Sequence, residues 1–135
     1  MIQEKSEQAF ATEKKESEIR EVKTFLCSYQ YCLDILQLRK YERRRARRME
    51  IPEEVEFDNL IVGSELFWRA RLHEIEAFVN ALPSGRERLL LYYHYIRGES
   101  IEHVANILGV SRRTAYRTHT KALIRAAALF HRLFD

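Results

Sequence analysis

The stretch SIEHVANILGVSRRTAYRTHTKAL, residues 100–123, decides how this chain reads. Ser100 is placed to cap a short helix whose apolar face is Ile101, Val104, Ala105 and Leu108. Ala105 is small where a second helix has to cross closely. Gly109 supplies the positive φ of a tight turn, and Val110 follows as an apolar tie between the two helices. Ser111 then caps a last helix with Ala115, Ala122, Leu123 and Ala126 on its inner face. The pattern predicts a helix-turn-helix. Its outer face offers Arg112, Arg113, Tyr116, Arg117, Thr120 and Lys121, and no Asp or Glu occurs from Ser111 to Ala128. Donors without acids suit phosphates and base edges in a DNA major groove. The plainer reading is a helical hairpin with a solvated basic face, although such faces ordinarily mix both signs of charge.

Position along the last helix assigns the roles. The N-terminal end of a recognition helix enters the groove deepest. Arg112, Arg113 and Arg117 are therefore expected to make direct contacts, with guanine or phosphate as targets. Thr114 and Tyr116 are read as phosphate or thymine-methyl contacts, and Thr120 and Lys121, further along, as backbone contacts. Ser100, with the amides that follow it, is placed to hold a phosphate on the other strand, and Ser111, the cap of the last helix, is counted among the DNA-binding residues.

A longer stretch, LPSGRERLLLYYHYIRGESIEHVANILGVSRRTAYRTHTKAL (82–123), resembles region 4 of sigma-70 family factors. The shared pattern is Leu-Pro, an Arg/Glu-rich helix with three leucines and Tyr, then Gly-x-Ser-Ile-x-x-Val-Ala-x-x-Leu-Gly-Val-Ser-x-x-Thr, and later Ala-Leu. It covers about a third of the chain. Ser111 to Arg117, with His119, is most similar to phage regulators of the ArpU/RinA kind, which place a helical segment before such a motif and act on late genes. The resemblance implies transcription regulation at a promoter-like site, and a helix over 84–97 that faces RNA polymerase. Two departures stand out. Nothing upstream resembles sigma region 2, and His119 occupies a position that is usually aliphatic.

Upstream, two heptad-like stripes predict two long helices. Ile19, Val22, Leu26, Tyr29, Leu33 and Leu36 form the first; Phe67/Trp68, Leu72, Ile75, Val79 and Leu82 form the second. Neither stripe can stay in water, so the helices pair as an antiparallel hairpin or across a homodimer. An acidic loop is expected at about 49–63, broken by Pro52, with Ser64 capping the second helix and Glu65 in its first turn. The expected fold is thus all-α: a flexible polar segment (1–18), a long-helix hairpin resembling a coiled coil (19–82) and a helix-turn-helix domain (83–135). The third part opens with a helix over 84–97 that turns Leu89, Leu90, Tyr93 and Ile96 inward and ends at Gly98.

Between the stripes, RKYERRRARR (39–48) carries seven basic side chains and one acid, and EIPEEVEFD (50–58) carries five acids. Arg43, Arg44, Arg45, Arg47 and Arg48 have three readings: accessory grip on DNA phosphates, pairing with those acids, or a solvated helix end.

The net charge of +3 alone implies no nucleic acid; its distribution does. With 4 Gly and 2 Pro among 135 residues the chain has few breakers, which favours helices over sheet. Cys27 and Cys32 have neither redox nor zinc spacing, and read as small buried or half-buried residues in a reducing cytoplasm. No signal peptide or membrane-spanning run is legible. His73-Glu74 begins an HExxH pattern, but Ala77 stands where the second histidine is needed. No metal, cofactor or enzyme is expected. The leading expectation is a sequence-specific regulator binding double-stranded DNA. The alternatives are a DNA-binding packaging module like a small terminase subunit, or an interaction protein that docks on polymerase.

Overall fold

The computed structural model describes residues 2–49 and 55–134, and the side chains of residues 6–49 and 63–134. The described residues are all-α: α1 (Ile2–Arg48), α2 (Val55–Ala81), α3 (Arg86–Leu91) running into a π-helical turn (Tyr92–Ile96), α4 (Ile101–Leu108) and α5 (Arg112–Phe134).

α1 and α2 lie side by side and run in opposite directions. The Phe25 ring meets Phe78, with centroids 5.3 Å apart, and Tyr31 meets Trp68 at 5.7 Å. The Tyr29 hydroxyl donates to Glu76 Oε1 at 2.6 Å, and Arg43 pairs with Glu65. Rising numbers on α1 thus meet falling numbers on α2. The heptad stripes form the contact: Val22, Leu26, Tyr29, Ile75, Val79 and Leu82 are buried. Phe25 and Cys32 are buried as well, outside the expected stripe. α1 has a second neighbour, because Phe130 and Phe134 of α5 stack against Phe25. Two partners bury a wider face than the single seam a heptad describes. One continuous apolar cluster then runs from Val22 to Ala127, with residues on both sides of Leu82 in it.

Several local expectations need correction. α2 starts at Val55, so Ser64 and Glu65 stand well inside it and cap nothing. Gly63 is tolerated there because α2 is held by packing further along, and residues 50–54 lie outside the described part of the expected loop. Helix also extends back over residues 2–18, with side chains 6–16 exposed. In the next segment Leu89 is exposed, while Leu90, Leu91, Tyr95 and Ile96 are buried and Tyr93 is only half-buried. After Leu91 comes the π turn, in which Arg97 N–H bonds Tyr92 O at 3.1 Å across five residues. One extra residue in the turn rotates everything after it relative to a 3.6-residue period.

Cys32 is buried but Cys27 is exposed. Among the described residues no helix is long and apolar enough to cross a membrane.

Candidate nucleic-acid interface

The α4–turn–α5 unit is built by three small capping devices. Ser100 Oγ accepts from His103 N–H at 3.1 Å and starts α4. Gly109 ends α4 at φ 68°, ψ 33°. There Val110 N–H reaches back to Ala105 O at 3.0 Å and Gly109 N–H to Asn106 O at 3.3 Å, the paired bonds of a Schellman closure. Ser111 Oγ accepts from Thr114 N–H at 3.1 Å and donates to Thr114 Oγ1 at 2.8 Å, which starts α5. Both serines are exposed, and their side chains are committed to these caps. Val104, Ala105, Ala115, Ala122 and Leu123 are buried between the helices and the rest of the core.

On α5 the candidate contacts separate into two groups. Arg113, Arg117 and Lys121 are exposed and make no ion pair among the described residues. Thr120 is exposed and donates to Tyr116 O at 3.2 Å. Thr114 is half-buried and tied to Ser111. Arg112 and Tyr116 are exposed but engaged. Arg112 Nη2 donates to Glu102 Oε1 at 2.9 Å, and the Tyr116 hydroxyl donates to the same oxygen. The face of α5 that lacks acids in its own sequence therefore receives one from α4. The Tyr116 hydroxyl, first, and Arg112 hold the Glu102 carboxyl below its usual range; the same bond raises the Tyr116 phenol. Glu102 escapes a sequence reading because the contact spans a turn of special geometry, so its spacing matches no helical period.

The unit is attached to the remainder through polar contacts, several of them half-buried. His119, on the inner side of α5, is half-buried, and its Nε2 shares a 2.8 Å hydrogen bond with the Tyr95 hydroxyl. Burial first, then the neighbouring His94 and Lys23 charges, push the His119 imidazole down to about 4. The polar surroundings at this position are thus supplied by the π turn. Gln30 of α1 closes that turn, donating from Nε2 to Tyr95 O at 3.2 Å and Ile96 O at 3.0 Å. It also lies 3.4 Å from where a Cβ on Gly98 would project, at a residue with φ 73°. At the other end of α5, His131 faces Glu18 and Glu21 at 3.9 and 3.6 Å. Glu87 of α3 reaches Arg125 at 3.4 Å.

The arginine run ends α1 away from this unit in sequence. Arg43 is half-buried and paired with Glu65, whereas Arg44, Arg45, Arg47 and Arg48 are exposed. The acids of 50–58, proposed as their partners, lie outside the described side chains. Among the described residues no group of three or more His, Cys, Asp or Glu is placed to hold a metal ion.

Comparison of the chain with protein-family models, with curated proteins and with solved structures finds no match.

Proposed function

We propose that this protein is a sequence-specific regulator of transcription that binds double-stranded DNA, with α4 and α5 acting as a helix-turn-helix. The observation that carries the reading is the outer face of α5. Arg113, Arg117 and Lys121 stand exposed and unpaired among the described residues, just after a capped helix start and a left-handed turn. In this reading Arg113 and Arg117 reach base edges in the major groove, and Lys121 and Thr120 hold phosphate. Arg44, Arg45, Arg47 and Arg48 add sequence-independent grip. The α3 segment, with Leu89 exposed, is the surface offered to polymerase. The heptad residues Val22, Leu26 and Tyr29 are buried within one chain. A dimer would therefore have to use other surfaces.

Selection of bound sequences from a random duplex pool tests the proposal. A defined enriched site is the expected result. Binding that enriches no sequence would leave only a non-specific nucleic-acid protein, and no binding at low salt would end the DNA reading altogether.

A further inference from the structure

Arg112 and Tyr116 are four residues apart, so they share the side of α5 turned toward α4. Arg113 and Arg117 repeat that spacing one residue later, about 100° round the helix and away from α4. Glu102 reaches only the first pair, on one carboxylate oxygen. Its side chain is 42% exposed and that of Arg112 is 72% exposed, so the pair sits at the surface where a duplex would approach.

Sequence-independent affinity for DNA grows with the number of cations brought to phosphates, because each releases counterions. Arg112 beside Glu102 contributes a net charge of zero. A phosphate gains Arg112 only by displacing a carboxylate, which then stays beside it as a like charge. Base reading by Arg113 and Arg117 carries no such penalty. The geometry points to Glu102 as a specificity-determining residue: by neutralising Arg112 and holding it and Tyr116 against α4, it suppresses the sequence-independent affinity of α5 for DNA. This rests on the DNA-binding reading above.

The test uses the full chain with Glu102→Gln, Glu102→Ala and the double variant Glu102→Gln/Arg112→Ala. Binding to a random-sequence duplex and to the selected site is titrated against salt. In the single variants the random duplex should bind several-fold more tightly at low salt. The slope of log affinity against log salt should steepen by about 0.9, the mark of one added phosphate contact. The selected site should gain less, so discrimination falls, and the double variant should lose the gain. Ultraviolet titration without DNA should show the Tyr116 phenol ionising more readily in Glu102→Gln, and circular dichroism should show unchanged helix content. The inference is overturned if wild type binds duplex but the single variants keep its slope, or if the gain survives loss of Arg112. Should wild type bind no duplex at any salt, the inference and the proposed function fall together.

Discussion

The Tyr95 hydroxyl and His119 Nε2 lie 2.8 Å apart and join the π turn to α5 inside the protein. The bond is made with a neutral imidazole, whose proton affinity burial has lowered to about 4. Between that value and the ordinary 6.5, the unfolded chain binds a proton that the folded chain does not. Stability from this site is therefore complete above pH 6.5 and is lost as pH falls toward 4. With partial solvent screening the loss is about 2 kcal/mol. Urea midpoints at pH 7 and pH 4.5 should differ less for His119→Leu than for wild type. Equal losses in both proteins would remove His119 as the cause.

Arg113→Ala should cost about 1–3 kcal/mol on the selected DNA site and relax one base preference. Lys121→Ala should weaken all duplexes alike and lower the salt slope by about one. Gel-shift titrations across salt distinguish the two patterns. If neither variant changes binding, the outer face of α5 is not the DNA contact.

Arg43 and Glu65 hold α1 to α2 near the ends of the described pair. Their side chains are 36% and 12% exposed, so the pair is worth no more than about 1 kcal/mol. Arg43→Ala and Glu65→Gln should each lower thermal stability slightly, and the double variant should fall no further than the worse single one. Fully additive losses would show that the two residues do not act as a pair. Neutralising Arg44, Arg45, Arg47 and Arg48 together should instead leave stability unchanged and flatten the salt dependence of DNA binding.

Phe25 is the junction of three helices, with rings of Phe78, Phe130 and Phe134 around it and the Arg71 guanidinium 5.0 Å from its ring centroid. Phe25→Ala should destabilise the protein by about 3–5 kcal/mol. Hydrogen exchange should show the end of α5 opening together with α2. A loss confined to α1 and α2 would mean that α5 stands independently.

The parts of this fold that were legible in the sequence are those governed by local chemistry. Ser100, Gly109 and Ser111 announce their caps because few residues suit those backbone positions. The stripes of Val22, Leu26, Ile75 and Val79 announce helices because period reveals a buried side. Three things were hidden. Gly63-Ser64 resembles a helix start, yet the packing of Ile75 and Val79 further along carries α2 through it. The π turn places Tyr95 beside Ile96 in the core, and no residue pattern signals the extra residue. Glu102 meets Arg112 only because the Gly109 turn folds α5 back beside α4. In the candidate interface, the exposed arginines could be listed from the sequence, but which of them is already engaged could not.

α5 is a single 23-residue rod, about 35 Å long. Its first turns carry Arg113 and Arg117, and its last turns are clamped to α1 by Phe130, Phe134 and His131. The rod therefore works as an axle and α1 as the arm fixed to it. Whatever orients α5 also aims the exposed helix of residues 6–16, and turning the one by a given angle swings the other by the same angle. A protein that met this arm would be reading a bearing set at the opposite end of the molecule.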